Sequence, residues 1–172
     1  HGFGSSWVIP GTGIILNNRL TGFSLDPTSP NIVEPGKRPA HTLNAFTAVK
    51  PDGSLHLVGG TPGANIQVQT NLQLITNLVD LKMNVQEATE APRWQHLNAP
   101  GQSSAEETGS GVLEIENRVS SAVIDELRAK GHDVKLLAAW GHGSSVQLMQ
   151  VLPNKTYAFG SDPRCEGHAS GL

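Results

Sequence analysis

Cysteine is almost missing from this 172-residue chain: the one thiol, Cys165, rules out an internal disulfide and says nothing about redox compartment. No apolar run approaches the ~20 residues that a membrane-spanning helix needs, so no membrane partner is expected. No basic run stands out. Twelve Lys and Arg against 15 Asp and Glu leave a formal net charge of -3, so nothing points to nucleic acid. The seven histidines fall in neither an HExxH pattern nor a Cys/His zinc spacing, and they read as scattered loop residues. No metal and no cofactor are therefore expected. The Gly-rich stretches lack the Lys-Ser/Thr pair of a P-loop, and no Gly-x-Ser-x-Gly elbow occurs. There is no signal peptide, no repeat and no low-complexity tract. The chain opens on His1 and runs at once into a strand-like stretch, as a cut or processed piece would.

What is present is glycine and proline, 19 and 11 residues, which predicts many turns and short strands. Trp7 to Pro10 and Gly13 to Leu16 read as two strands split by a turn. Residues 21 to 40 read as a long loop of the kind that is functional or poorly ordered. Thr42 to Val49 alternates, with Leu43, Ala45, Thr47 and Val49 on one face. Pro51-Asp52-Gly53 then turns the chain into Leu55 to Val58. From Asn65 the period becomes helical. Val68, Leu72, Ile75 and Val79 form a stripe that Leu74, Leu78 and Leu81 widen, so this helix is expected to be buried. Asn84 caps a second helix over 85 to 91, with Glu87 at its third position and Pro92 after it. Residues 98 to 110 read as a polar loop. Leu113 and Ile115 against Glu114 and Glu116 predict a half-buried strand. Ser120 or Ser121 starts a helix that runs to Lys130 and stops at Gly131. Strands follow over 134 to 138, 146 to 152 and 157 to 159, and a glycine-rich tail over 162 to 172. The length suits a single domain over 1–172, and this order predicts an α+β layered fold with mainly antiparallel sheets.

One generic feature has chemical content. The Gly-rich turn at 59 to 63 feeds a helix, and backbone N–H groups at such a junction favour a phosphate, a carboxylate or an oxyanion. A plain strand-to-helix turn is the alternative reading.

Several blocks occur together and in order: Phe3-Gly4-Ser5, Pro10 to Asn18, Phe23-Ser24, Pro35-Gly36-Lys37-Arg38-Pro39, Gly60-Thr61-Pro62-Gly63, Met83 to Ala88, Ala91-Pro92-Arg93 and Asp162-Pro163-Arg164. In this arrangement the chain resembles the small subunit of the γ-glutamyltransferases. The resemblance implies an Ntn-hydrolase αββα sandwich, of which this is the C-terminal, small-subunit portion. It implies a precursor that cleaves itself, with a large subunit from the same precursor as partner. It also implies a Thr at the new N-terminus, whose hydroxyl attacks a γ-glutamyl (glutathione-type) amide and whose α-amino group is the base. In the family that Thr lies a short strand pair upstream of Phe-Gly. Thr12, Thr21 and Thr42 carry no free α-amino group, so this piece alone is expected to be inactive. The compartment stays open, periplasmic, secreted or cytoplasmic.

The resemblance extends to the substrate pocket position by position. The oxyanion hole falls on the N–H groups of Gly63 and Ala64. Where the family has Gln or Glu, and then an Asp that binds the substrate α-amino group, this chain has Arg19 and Gly22. Where the family has a Ser-Ser pair that holds the α-carboxylate, it has His41 and Thr42. A retained hole beside an altered clamp suggests a small-molecule amide or peptide substrate whose acyl group carries a carboxylate without an α-ammonium. Cephalosporin-acylase-like members that cleave glutaryl amides are the precedent. An Arg19 that points to solvent, and a catalytically dead subunit kept for assembly or binding, are the alternatives. For the rest, Asn17 and Asn18 are expected to fix a turn, Asp162 and Arg164 to pair, and Glu87 and Arg93 to serve helix-end electrostatics.

Overall fold

The computed structural model describes residues 4–97 and 111–168; the polar loop expected over 98–110 and the end of the glycine-rich tail lie outside them. The chain divides into two compact units, His1–Leu43 and Asn44–Leu172.

The first unit has little regular structure. The two apolar runs pair in a short antiparallel ladder: Leu16 N–H donates to Trp7 C=O at 2.8 Å and Ile9 N–H to Ile14 C=O at 2.9 Å. Only the Val8–Ile15 bridge is regular, so neither run is a full strand. Pro10 brings no N–H, and Gly11 and Gly13 turn the chain back at φ +76° and +70°. A 3₁₀ turn, Arg19–Gly22, follows. The expected long loop is held by side-chain turns, such as Asp26 accepting from the N–H and hydroxyl of Thr28 at 2.8 Å each.

The second unit runs β1 (Phe46–Val49), β2 (Leu55–Gly60), α1 (Gln67–Val79), α2 (Val85–Glu90), β3 (Trp94–His96), β4 (Val112–Glu116), α3 (Ser121–Ala129), β5 (Asp133–Leu137), β6 (Gln147–Val151) and β7 (Tyr157–Ser161). Its sheets are β1-β2-β6-β7 and β3-β4-β5. Every strand pair is antiparallel except β4–β5, so the α+β, mainly antiparallel reading holds. Asp52 closes the β1–β2 turn by accepting from Ser54 N–H and hydroxyl at 2.9 and 2.6 Å.

The face of β1 is the reverse of the expected one. Phe46 and Ala48 pack on the core, while Thr47 and Val49 are exposed. The reason is Gly59, paired opposite Phe46. A Cβ there would lie 2.7 Å from the Phe46 ring, so the missing side chain makes room for the ring on the helix side of the sheet.

In α1 only part of the expected arc is buried: Leu74 and Leu78 are, and the stripe they were to widen is not. The stripe Val68, Leu72, Ile75 and Val79 is exposed by 59, 60, 39 and 45%, while Gln67, Thr70, Asn71, Leu74 and Leu78 are buried. Gln67 accepts from the N–H of Asn44 at 3.1 Å, and Asn71 donates to its C=O at 2.5 Å. These bonds fix the polar side of the helix inward, as buried amides require. Leu74 and Leu78 then meet Leu57, Val85, Ala88, Val146 and Leu148 to form the main core. Each such side chain contributes about 1.5–3 kcal/mol when fully buried.

The other differences are local. β3 was not expected. β4 is not half-buried, because it lies between β3 and β5 and its glutamates turn into ionic contacts rather than water. Glu114 and Glu116 are only 7 and 0% exposed. Ser120 sits at the N-cap of α3 without a side-chain cap bond, whereas Gly131 ends that helix at φ +91° as expected. Among the described residues no helix is long and apolar enough to cross a membrane.

The start of α2 is the full capping box. Asn84 accepts from Gln86 and Glu87 N–H at 3.0 and 2.9 Å, and Glu87 accepts from Asn84 N–H at 2.9 Å. Asn84→Ala is expected to lower the unfolding free energy by about 1 kcal/mol. Urea unfolding of the protein monitored by tryptophan fluorescence checks this; an unchanged midpoint refutes it.

Candidate functional site

The turn between β2 and α1 carries the two N–H groups singled out in the sequence. Gly63 has φ +136° and Ala64 φ +48°. Only glycine fits the first position, since a Cβ would come within 2.8 Å of Ile66 Cγ1. Ala64 opens a 3₁₀ turn, Ala64–Ile66, that leads into α1. The Thr61 hydroxyl donates to Pro62 C=O at 2.7 Å, and Ile66 N–H donates to Gly63 C=O at 3.0 Å. The N–H groups of Gly63 and Ala64 donate to no described residue. Two adjacent free donors at the start of a helix favour an oxyanion or carboxylate.

The other four candidates all lie in the first unit. Arg19, half-buried, and Gly22 bracket the 3₁₀ turn, which Asn17 opens by accepting from Arg19 N–H at 2.9 Å. The turn-fixing role expected of Asn17 and Asn18 is seen, with the Thr21 hydroxyl donating to Asn18 C=O at 2.8 Å. Asn31, which the sequence did not single out, links the candidates. Its amide donates to Gly22 C=O at 2.5 Å and accepts from Ala40 N–H at 3.0 Å, next to His41 and Thr42. The signal was present in Ser29-Pro30-Asn31, a turn-forming run whose Asn side chain reaches back along the loop.

The strongest electrostatic feature of the second unit is a buried ion cluster. Asp162 pairs with Arg93 at 2.5 Å and with Arg164 at 3.0 Å; Arg164 also makes a bidentate pair with Glu116, both bonds 2.6 Å. All four side chains are at most 2% exposed. The Asp162–Arg164 pairing was expected. The helix-end role for Arg93 is corrected: its side chain enters the cluster and also donates to Ser144 C=O at 3.1 Å and Thr89 C=O at 2.8 Å. Pro92 has already ended α2, so Arg93 leaves the helix axis for the interior. Arg118 adds a third cation, 2.6 Å from Glu116 and 3.5 Å over the Trp140 ring.

His142 and Ser144 complete the cluster. His142 Nδ1 lies 2.7 Å from Ser144 Oγ, and both residues are buried, 4 and 1% exposed. Burial, then repulsion from Arg93 and Arg164, pushes His142 down from 6.5 to about 4. Burial alone would raise Glu116, but hydrogen bonds from Arg164 and Arg118 outweigh it and hold the carboxyl at about 2, against 4.5. This enclosed pair offers no access to substrate, so it is scaffold rather than a Ser-His catalytic dyad. Among the described residues no three His, Cys, Asp or Glu side chains gather to hold a metal ion.

Comparison with known proteins follows the same blocks. A family model described as gamma-glutamyltranspeptidase matches residues 1–172. The oxamate amidohydrolase proenzyme of Klebsiella pneumoniae is 39% identical over 175 residues, which cover 99% of this chain and 31% of that protein. The glutathione hydrolase proenzyme of Escherichia coli is 36% identical over 172 residues, covering 94% of this chain and 27% of that protein. Among solved structures, a cephalosporin acylase from Bacillus halodurans superposes with a TM-score of 0.77 at 32% identity, over 97% of this chain and 30% of that one. The chain thus spans less than a third of the length of these relatives.

The cluster predicts acid sensitivity. Both shifted groups have folded values below their unfolded ones, so the unfolded chain binds more protons and stability is lost as the pH is lowered. His142 contributes between about 6.5 and 4, and Glu116 between about 4.5 and 2. His142→Asn is expected to remove the loss in the upper window and keep the lower one. Melting temperatures from pH 7 to 3 check this; an unchanged slope between 6.5 and 4 refutes it.

Proposed function

The chain belongs to the γ-glutamyltranspeptidase family, and from that premise we propose that the whole protein cleaves a small amide through an acyl-enzyme on an N-terminal Thr upstream of this chain. Its α+β fold is that of the Ntn hydrolases. The N–H groups of Gly63 and Ala64 are the oxyanion hole. The observation that carries this reading is the pair of adjacent N–H groups, without a described partner, at the head of α1. Attack by the Thr hydroxyl turns the amide carbonyl oxygen into an oxyanion, and two fixed donors lower the barrier most where that charge develops. The acyl group then passes to water or to an amine.

The acyl group we assign carries a carboxylate and no α-ammonium. Arg19 supplies a cation where a γ-glutamyl site has a neutral or acidic residue, and Gly22 supplies no carboxylate for an ammonium. His41 and Thr42 remain hydrogen-bond donors for a carboxylate. The relatives support this direction: oxamate is an amide whose carbonyl bears a carboxylate and no ammonium, and a cephalosporin acylase is among the similar structures. The likeness to a glutathione hydrolase favours the γ-glutamyl alternative, which the assay below separates.

The remaining part of the precursor is the proposed partner. The relatives named as proenzymes are more than three times as long as this chain's match to them. The outer stripe of α1, apolar and exposed, is the kind of helix face that a further layer covers.

On the full-length protein, kcat/KM is expected to be higher for oxamate or a glutaryl anilide than for a γ-glutamyl anilide. Arg19→Leu is expected to lower it roughly 10- to 100-fold for the carboxylate substrates, the scale of one charge-assisted hydrogen bond. A preference for the γ-glutamyl anilide, with Arg19→Leu neutral, rejects the substrate assignment.

A further inference from the structure

We infer that Thr61 is a positioning residue that aims the oxyanion hole through its hydroxyl; the inference rests on the proposed role of Gly63 and Ala64. A trans peptide unit is planar, and its C=O and N–H point in opposite directions. The Pro62 C=O and Gly63 N–H belong to one such unit, and the Gly63 C=O and Ala64 N–H to the next. Whatever fixes the two oxygens therefore fixes the two donors.

Both oxygens are held from inside the fold. Ile66 N–H, in the first turn of the helix, takes the Gly63 oxygen at 3.0 Å. The Pro62 oxygen precedes the helix and has no helical N–H to meet it. The Thr61 hydroxyl meets it instead, at 2.7 Å. Thr61 is only 9% exposed, and its hydroxyl is itself held, since it accepts from Ser145 N–H at 3.1 Å. Donating to one partner and accepting from the other leaves the hydroxyl a single rotor position.

Ser145 is a fixed anchor because its neighbours belong to the ion cluster. The Ser144 C=O accepts from Arg93 at 3.1 Å, and the Val146 N–H donates to Asp162 at 2.7 Å. Gly60 and Gln147 are the last ladder pair between β2 and β6, so the bond from Ser145 to Thr61 continues that ladder one step by a side chain. The orientation of the Gly63 donor is thus set by the cluster through Ser144 to Val146 and Thr61. Rotation of the 62–63 peptide, which Gly63 permits on its own, is what the hydroxyl prevents.

The test uses the full-length protein. Thr61→Val keeps the shape and removes the hydroxyl; Thr61→Ser keeps the hydroxyl. Losing one oxyanion donor outright costs roughly 100- to 1000-fold in kcat, so a misaimed donor is expected to cost roughly 10- to 100-fold. Thr61→Val should show that loss in kcat with KM within about twofold, since the donors act most strongly on the charge that develops in the transition state, and Thr61→Ser should restore most of kcat. Thr61→Val within twofold of wild type in kcat, or Thr61→Ser as impaired as Thr61→Val, overturns the inference. A backbone ester at residue 64, which replaces its N–H by oxygen, separates the two readings. A loss from the ester with none from Thr61→Val sinks the positioning role alone. No loss from the ester sinks the oxyanion-hole reading and this inference with it.

Discussion

The second unit depends on one arrangement of charge: Arg93, Asp162, Arg164 and Glu116, paired away from water. Burying four ions is unfavourable in isolation, and attraction offsets the desolvation only when geometry is close and the remaining hydrogen-bonding capacity is filled. Both conditions are met. Arg164 grips Glu116 with two bonds and donates further to the carbonyls of Thr89 and Ala91. Asp162 spends its remaining capacity on backbone N–H groups of Val146 and Arg164. The members come from the end of α2, the end of β4 and the segment after β7, so the cluster ties the two sheets and the α2 C-terminus at one point. Removing Asp162 leaves the Arg93 guanidinium buried without a carboxylate, which costs about 3–5 kcal/mol, more than any single core leucine contributes.

That rigidity has a use a few residues away. The turn at Gly63 is built from residues with little side chain, and flexible glycine would let its peptides rotate. Ala64 sits in the left-handed region, where an ordinary residue is disfavoured by about 1–2 kcal/mol. Such strain persists where surroundings over-determine the backbone. Here the restraints are the two carbonyl bonds from Thr61 and Ile66, with β2 on one side and α1 on the other. In the proposed role, donors oriented in this way before any ligand arrives save reorganisation at the moment of reaction.

How much of this was legible in the sequence depended on how far apart the interacting residues lie. The α2 capping box, the Asp52 turn and the Gly131 stop are local, and each was read correctly from three or four neighbouring residues. The turn expected at 59 to 63 was read for the same reason, although it begins only after Gly60, since Gly59 and Gly60 belong to β2. The inward face of β1 was misread, and that of α1 was read only at Leu74 and Leu78, because what decides them is distant: Gly59 makes room for Phe46, and Asn44 binds Gln67 and Asn71 twenty and more residues along. The glutamates of β4 looked like a solvent face because alternation cannot reveal that Arg164 and Lys135 will meet them. β3 is three residues long and carries no period at all.

The same reasoning separates the two sets of candidate residues, one in each unit. The proposed oxyanion turn is backbone chemistry, and backbone chemistry leaves a local trace in Gly, Pro and Thr. The proposed clamp is side-chain charge, and its sign could be read at Arg19 and Gly22, yet the residue that ties those loops together, Asn31, could not be ranked above any other loop asparagine. Charge sign is a stronger constraint on substrate than loop shape. A carboxylate beside Arg19 is attracted whatever the detail of the loop, whereas an ammonium there is repelled and finds no carboxylate at Gly22 to compensate. A cation at Arg19 together with the loss of a carboxylate at Gly22 changes attraction to repulsion for one end of a glutamyl group. It leaves the amide carbonyl, and the turn that would receive its oxygen, untouched. On the proposed function, reaction type and substrate class are carried by separate parts of the chain, and the second can vary while the first is kept.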